Sequence, residues 1–341
     1  MTFPRRYHLL LMTLSLATYA AAQAPRAEIS NGALHAVIYL PDVQSGFYRG
    51  TRFDWSGVIA SLTQATHHYY GPWFTKTDPH VIDFVFDGSD IVAGPASAIT
   101  GPVEEFTTHD KALGFDDAKP GRTFIKIGVG VLRRPDDKDY SPYRPYELVD
   151  SGKWTVATHP DSIVFTQTVS DPATGYAYRY TKTLRLVGEK PEMQMEHKLE
   201  NTGRRAIATS VYNHNFFVPD SQPVGPQDVV TLPFDADVKE KPALAVLRGR
   251  EFTYERALAG RDTVAVEFTG FAHSPASYDF RVENREAGAA FHVTCDQPLA
   301  RLHLWSIRTV LALEPFLDFS IQPGESASWT YSYTYYTPPA R

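Results

Sequence analysis

The chain has 341 residues, of which 43% are hydrophobic, and its formal net charge is −6 at pH 7. This modest acidic charge, without a block of lysines or arginines, argues against nucleic acid or an anionic membrane as a partner. The one cysteine, Cys295, excludes an internal disulfide and is typical of a small buried apolar residue.

The start of the chain is typical of an exported protein. Arg5 and Arg6 precede an apolar run over residues 9–22 that ends in small residues. This order is the signature of a secretory signal peptide, and the run is too short for a comfortable membrane span. We expect cleavage after Ala22, which leaves a single domain over residues 23–341, in the periplasm or the medium.

Short apolar segments that alternate or are rich in β-branched residues continue from residue 34 to the end of the chain. Turns rich in glycine, proline and aspartate separate them. This spacing predicts an all-β fold, a large antiparallel β-sandwich, with possible helical pieces only at 54–65 and 112–117. The predicted strands are 34–40, 81–86, 124–132, 154–157, 162–169, 176–187, 192–199, 206–217, 229–232, 263–268, 278–282, 290–294, 301–305 and 327–336.

The predicted strand 124–132 has glycines at positions 128 and 130 on one of its faces. Glycine inside a strand often marks a place where another backbone or a ligand comes close. We therefore expect one continuous strand here, with a neighbour packed against Gly128 and Gly130.

The segment around His214 concentrates groups suited to a sugar site. Alternation puts Tyr212, His214 and Phe216 on one face of a strand, and Asn213 and Asn215 on the other. Imidazole exchanges protons readily near neutral pH, and the aromatic rings could form an apolar floor for a sugar ring. The alternative is a half-buried histidine that is hydrogen-bonded by the backbone.

Residues 49–73 combine charged groups with flat aromatic surfaces. Arg52, His67, His68, Tyr70 and Trp73 all lie here, and such mixtures are typical of sugar sites. The alternative is a loop that its tryptophans anchor to the sandwich. The adjacent histidines are not a metal signature, because neighbouring residues on a strand point to opposite faces.

Glu314 ends an apolar strand immediately before Pro315, where normal strand pairing stops. Burial at such an edge would raise the proton affinity of the carboxylate, which suits a general base or acid. The alternative is an edge glutamate that points into solvent.

Several common signatures are absent from the sequence. It contains no Gly-x-Ser-x-Gly elbow, no phosphate-binding glycine loop and no His-Glu-x-x-His zinc motif. We therefore expect no metal and no nucleotide or flavin cofactor.

Two motifs resemble those of the aldose 1-epimerases, in the galactose mutarotase-like superfamily. Residues 213–217, Asn-His-x-Phe-Phe, resemble the family's Asn-His-x-Tyr-Phe. Leu-Glu-Pro at 313–315 and Ile-Gln-Pro-Gly-Glu at 321–325 resemble its late Glu-Pro and Leu-x-Pro-Gly-Glu segment. The resemblance implies a β-supersandwich in which His214 donates a proton to the ring oxygen of a sugar and Glu314 is the general base.

The same resemblance suggests residues that bind the carbohydrate substrate. Arg52 corresponds to an early arginine, and His67 or His68 to a second sugar-contacting histidine. Asp279 is a candidate for the substrate-binding aspartate, while Phe216 departs from the family's tyrosine, so the chain resembles an exported, divergent branch. The full set of predicted substrate-binding residues is Arg52, His67, His68, Tyr70, Trp73, Asn213, Asp279 and Trp305.

Two other functions fit the same residues. A polysaccharide lyase could use Tyr212 or His214 on a uronate-containing glycan, with Arg52 or Arg122 neutralising the carboxylate, because one fold hosts several chemistries. A non-catalytic sugar-binding protein would bind sugar saturably without turnover.

Overall fold

The structure is a computed structural model that describes residues 23–339. The predicted leader and its cleavage site lie outside the described residues. Strands and turns dominate the described chain, whose helical segments are two short 3₁₀ turns, Pro219–Ser221 and Pro275–Ser277. In residues 23–339 no helix has the length and apolar character needed to cross a membrane. The predicted all-β class is confirmed.

The described chain contains 26 strands, numbered here in chain order. They are β1 (Arg26–Ser30), β2 (Leu34–Tyr39), β3 (Val58–Gln64), β4 (His67–His68), β5 (Lys76–Thr77), β6 (Phe84–Asp87), β7 (Asp90–Ala93), β8 (Pro102–Thr107), β9 (Thr123–Lys126), β10 (Gly130–Arg133), β11 (Glu147–Asp150), β12 (Lys153–Thr158), β13 (Ser162–Asp171), β14 (Tyr176–Leu186), β15 (Glu192–Asn201), β16 (Ile207–Phe217), β17 (Asp228–Thr231), β18 (Asp237–Val238), β19 (Ala245–Arg248), β20 (Glu251–Tyr254), β21 (Thr263–Thr269), β22 (Asp279–Asn284), β23 (Ala289–Cys295), β24 (Arg301–Ile307), β25 (Val310–Ile321) and β26 (Ser326–Tyr336).

Two large antiparallel sheets form the sandwich. A ten-stranded sheet has the order β12-β13-β14-β15-β26-β23-β22-β17-β20-β19, and a six-stranded sheet has the order β18-β21-β24-β25-β16-β8. Three small sheets, β1-β2-β3-β4, β11-β10-β9 and β5-β7-β6, surround them. The six-stranded sheet carries the candidate site.

Aromatic contacts hold the two large sheets together. Phe217 of β16 packs on Phe291 of β23 with ring centroids 5.2 Å apart, and Phe106 of β8 lies 6.1 Å from Trp329 of β26. These side chains are 2% exposed or less. Each buried aromatic or aliphatic side chain of this kind contributes roughly 1.5–3 kcal/mol to folding.

The other face of the six-stranded sheet is also buried over much of its area. Tyr212, Phe216 and Phe316 belong to a second apolar cluster there, together with Phe53 from the β2–β3 connection and Trp73 from the β4–β5 connection. The centre of β16 is therefore buried on both faces, which explains its nearly continuous burial. A polar side chain in this region is shielded from water.

Two sequence predictions about local structure are wrong. Residues 124–132 form the hairpin β9–β10 instead of one strand, because Gly128 and Gly130 have φ of +80° and +143° and turn the chain back. The close approach at Gly128 is present, since an added Cβ would lie 2.8 Å from the Asp54 side chain. The proposed helix over 54–65 is instead β3, which pairs with β2.

Strand β8 was not predicted, because Glu104 and Glu105 lie side by side in its sequence. The two side chains point to opposite faces of the strand, and both are buried. Each carboxylate has its own cations, which sequence alone does not identify as partners.

Glu104 is the centre of a charged cluster between the two large sheets. Lys182 Nζ forms one short ion-paired hydrogen bond with Glu104 and donates another to Ser56 O at 2.9 Å, while His197 Nε2 lies 2.8 Å from Glu104 Oε1. Asp54 lies 3.4 Å from the same lysine. Burial alone would raise the pKa of Glu104, but the charges of Lys182 and His197 hold it well below its ordinary value.

Removing the lysine of this cluster should destabilise the fold strongly. Lys182→Met leaves two buried carboxylates without their main cation, which typically costs about 3–5 kcal/mol. The matched control on the same strand is Arg185→Met, because Arg185 pairs with Glu196 at the surface, where ion pairs contribute about 0–1 kcal/mol. Urea unfolding of both variants measures the difference. Equal shifts of the midpoint would contradict this account of the cluster.

Candidate active site

A cavity of about 420 Å³ opens on the face of the six-stranded sheet that points away from the ten-stranded sheet. Its residues come from several elements, including β16, β21, β24, β25 and the connections around β6. Of the predicted site residues, the cavity contains Arg52, Trp73, His214, Trp305 and Glu314. These five residues, far apart in sequence, converge on one site.

Strand register brings His214 and Glu314 together. The pairs Tyr212–Phe316 and Asn215–Leu313 share one antiparallel register between β16 and β25, so His214 lies directly across from Glu314. Cross-strand neighbours of this kind present their side chains on the same face, with Cβ atoms about 4.5–5.5 Å apart. Both side chains therefore enter the cavity side by side.

The two side chains form a close, buried pair. His214 Nε2 lies 3.2 Å from Glu314 Oε1, and the side chains are 5% and 11% exposed. The other imidazole nitrogen, Nδ1, is buried without a hydrogen-bond partner among the described residues. The carboxyl is thus the polar group that orients the ring.

Burial shifts the pKa values of Glu314 and His214 in opposite directions. Desolvation raises the pKa of Glu314 to about 7, with partial compensation from the charge of Arg52. Desolvation, followed by the same Arg52 charge, lowers the pKa of His214 well below its ordinary value. Near neutral pH the pair therefore holds a single proton, which resides mainly on the Glu314 carboxyl.

Arg52 is held rigidly at the edge of the pair. Its Nε donates to Glu105 Oε2 at 2.7 Å and its Nη2 donates to the Tyr212 hydroxyl at 2.9 Å. The guanidinium lies 4.4 Å from the Phe53 ring centroid and 4.8 Å from that of Tyr143, within cation–π range. Its Nη1 has no partner among residues 23–339 and is free to donate to a ligand.

Glu105 supports this arrangement from the adjacent strand β8. It lies opposite Tyr212 in register, accepts a hydrogen bond from the Tyr212 hydroxyl at 2.5 Å, and pairs with Lys126 at 2.8 Å. Burial alone would raise the pKa of Glu105, but the charges of Lys126 and Arg52 lower it to about 2. Glu105 stays ionised and fixes Arg52.

Aromatic side chains form one wall of the cavity. The His214 ring stacks on Phe216 with centroids 3.8 Å apart, and Trp73 stacks on the other side of the cluster at 5.8 Å from Phe216. Trp305 and Phe84 meet edge to face at 5.6 Å. Such surfaces accept the apolar face of a sugar ring.

Two predicted residues, Tyr70 and Asn213, lie in the interior and not in the cavity. The Tyr70 hydroxyl bonds to that of Tyr335 at 3.0 Å, and Asn213 donates to Tyr333 at 2.7 Å. Asn213 neighbours His214 on an extended strand, so its side chain points to the opposite face, into the core. Both were predicted to bind substrate, whereas the structure places both side chains outside the cavity.

Three further predicted residues also lie outside the cavity. His67 pairs with Asp220 at 2.8 Å on the short strand β4, and the adjacent His68 is exposed. Asp279 belongs to β22 of the ten-stranded sheet, where it lies 2.6 Å from His292. These positions share the residue types of a sugar site but belong to other surfaces of the fold.

Several cavity residues were not predicted. His303 lies two residues before Trp305 on β24, so alternation could have placed the two side chains on one face. Glu267 and Asp83 carried no comparable signal, because nothing in their local sequence distinguishes them from surface carboxylates. Tyr143 lies in a connection whose path only the structure shows.

No family model matches the chain, and no curated protein matches its sequence. Solved structures do share its fold. The Slr1438 protein from Synechocystis gives a TM-score of 0.55 at 13% identity, over 95% of this chain and 100% of that one. A galactose mutarotase-like protein from Lactobacillus casei gives 0.51 at 11% identity, over 92% and 100%. The aldose epimerase homologue from C. elegans gives 0.50 at 15% identity, over 93% and 100%.

These similarities extend over nearly the whole of each chain, and they agree with the two packed antiparallel sheets described above. At this level of identity they establish architecture, whereas activity depends on the site residues. The chain therefore shares the antiparallel β-sandwich fold of these galactose mutarotase-like and aldose epimerase-like structures.

Proposed function

We propose that the protein is an aldose 1-epimerase-like enzyme that interconverts the anomers of a neutral sugar by acid–base ring opening. The observation that carries the proposal is the His214–Glu314 pair, 3.2 Å apart inside an aromatic-walled cavity. Ring opening needs one group that accepts a proton and one that donates, and a pair holding one proton supplies both. The sequence of residues 1–22 supports an exported enzyme.

The pair would act through two arrangements of its single proton. Glu314 as carboxylate removes the proton of the C1 hydroxyl, while His214 as imidazolium protonates the ring oxygen, and the bond between C1 and the ring oxygen breaks. The pair then holds a carboxylic acid and a neutral imidazole, the arrangement that burial favours. Rotation about the C1–C2 bond and the reverse transfers close the ring as the other anomer.

Other cavity residues would bind and orient the sugar. The free Nη1 of Arg52 can donate to a sugar hydroxyl without conformational search, because Glu105 and Tyr212 already hold the guanidinium. Phe84, a partly buried residue of the cavity wall, presents an aromatic surface to the apolar C–H groups of the sugar. Such preorganised contacts convert binding energy into orientation of the reacting atoms.

Charge balance argues against the alternative of a lyase that acts on uronates. Acidic groups outnumber basic ones in the cavity lining, which has two cations, Arg52 and Lys239, and four carboxyl groups, Asp83, Glu240, Glu267 and Glu314. Arg122 is exposed and lies outside the cavity. A uronate carboxylate would therefore be repelled by the lining, which disfavours its binding.

Removal of either member of the pair should abolish most of the activity. His214→Ala and Glu314→Gln each remove a proton-transfer group, which contributes roughly 10²–10⁴-fold in rate. Polarimetry on freshly dissolved glucose and galactose measures the effect, with His67→Ala as the control because His67 lies outside the cavity. If wild type binds sugar without speeding mutarotation, the protein is a binding protein and the proposal fails.

The pH dependence should report the shared proton. Because the raised pKa of Glu314 lies at about 7, the pair keeps its one proton below that pH and loses it above. After subtraction of the spontaneous reaction, kcat/KM should fall about tenfold per pH unit above about pH 7. The measurement is a series of initial rates between pH 5.5 and about 8.5. A flat profile across this range would contradict the assignment.

Glu314→Gln should also stabilise the protein above neutral pH. The pKa of Glu314 is raised from 4.5 in the unfolded chain to about 7 in the folded protein, so ionisation of this carboxyl opposes folding. The resulting loss of folding free energy is absent below about pH 4.5 and complete above about pH 7. At pH 8 the variant should gain about 3 kcal/mol over wild type, and little at pH 4.5. Urea unfolding at the two pH values tests this. A gain in the free energy of unfolding that does not grow with pH would contradict a Glu314 carboxyl whose pKa is raised by burial.

A further inference from the structure

A row of polar side chains continues from the catalytic pair across the six-stranded sheet. His303 of β24 lies across from Glu314, and Glu267 of β21 lies across from His303. Lys239, just after β18, donates its backbone N–H to Glu267 O at 3.1 Å, and its side chain forms a short ion pair with that glutamate. Register puts all of these side chains on one face, and all line the cavity.

The row is too long for a single sugar ring. Glu314 and Lys239 lie three strand spacings apart, which is about 14 Å, since neighbouring strands are about 4.8 Å apart. One pyranose with its hydroxyl groups, bound with C1 at the pair, would leave the groups on β21 and after β18 without a contact. The cavity therefore has an outer half, defined by His303, Glu267 and Lys239.

We infer that this outer half is a second sugar subsite and that the preferred substrate is the reducing end of a neutral oligosaccharide. The inference rests on the function proposed above. The reducing sugar would occupy the inner half, against His214 and Glu314. The next sugar unit along the chain would lie over β24 and β21.

The outer half has the surfaces that a sugar unit needs. Trp305 lies two residues from His303 on the same face, and it is only partly buried. The residue directly opposite Trp305 is Ala265, whose side chain is small and exposed, so the indole is open toward β21. A partly open indole beside an alanine provides a flat stacking surface.

Hydrogen-bonding groups border this surface. Glu267 and Lys239 side chains are 29% and 60% exposed, so they can reach hydroxyl groups without a large desolvation cost. His303 Nε2 lies 3.4 Å from Glu267 Oε2, which is long for a hydrogen bond, and that nitrogen has no hydrogen-bond partner among the described residues. The exposed Glu267 carboxylate and Lys239 ammonium are therefore the hydrogen-bonding groups that a sugar hydroxyl can reach in the outer half.

The charges of the outer half select a neutral unit. Lys239 and Glu267 neutralise each other, and the exposed Glu240 beside them adds a negative charge to the cavity. An anionic sugar, such as a uronate or a sugar phosphate, would meet net repulsion here. Neutral hexose units have no such penalty.

The test compares sugars with the same reacting unit. Polarimetry gives kcat/KM for glucose against maltose, cellobiose and lactose, which all have glucose at the reducing end, and for galactose against galactobiose. The kcat/KM of at least one disaccharide should exceed that of its monosaccharide by about tenfold. One or two good hydrogen bonds to the second sugar unit account for a gain of this size. Glu267→Gln and Lys239→Ala should each reduce this ratio at least about threefold, while Glu196→Gln, in the half-exposed pair with Arg185, should not.

The ratio of two substrates cancels any change in the amount of folded enzyme. If the wild-type enzyme turns over monosaccharides but no disaccharide has a higher kcat/KM, the second subsite is overturned and the epimerase function is left intact. The second subsite would also be overturned if the Glu267 and Lys239 variants lose kcat/KM equally on the disaccharide and on its monosaccharide. If wild type accelerates none of these sugars, the proposed function fails, and the inference fails with it.

Discussion

The register between β16 and β25 is the constraint on which the site depends. It sets His214 across from Glu314, and Pro315 next to them has no N–H to continue the ladder. Asn215 compensates from the core side, since its Nδ2 donates to Leu313 O at 2.8 Å and to Asn213 O at 3.1 Å. The interrupted ladder is thus hydrogen-bonded at this point, and the His214 and Glu314 side chains are held by two packed strands, not by loops.

Burial on both faces of the six-stranded sheet gives two glutamates opposite properties. Glu105 and Glu314 are both buried near Arg52, but Glu105 has Lys126 and Arg52 as direct partners and its pKa lies at about 2. Glu314 has only an imidazole beside it, and its pKa lies at about 7. The neighbouring cation, and not burial itself, decides which carboxylate is structural and which can exchange a proton.

The sequence predicts the parts of the site that local pattern encodes. Alternation around His214 and the apolar run before Pro315 made each residue a candidate, and the resemblance to the aldose 1-epimerases joined them as a pair. The strand pattern predicted the all-β fold. Long-range pairing is not visible locally, so β8 was missed: adjacent glutamates are typical of a surface until their partners Lys182 and Lys126 are known. The same limit explains why Tyr70, Asn213 and Asp279 were predicted to bind substrate, since residue type does not reveal which face or sheet a side chain occupies.

The chemistry proposed for the site requires that His214 and Glu314 share one proton near neutral pH, held mainly by the carboxyl. Nitrogen-15 NMR titration of the His214 imidazole, assigned by comparison with His214→Ala, measures where this proton lies. We expect a neutral imidazole at pH 6.5 and a small chemical-shift step at about pH 7 that disappears in Glu314→Gln. An imidazole that titrates at an ordinary pKa and is indifferent to Glu314→Gln would contradict it.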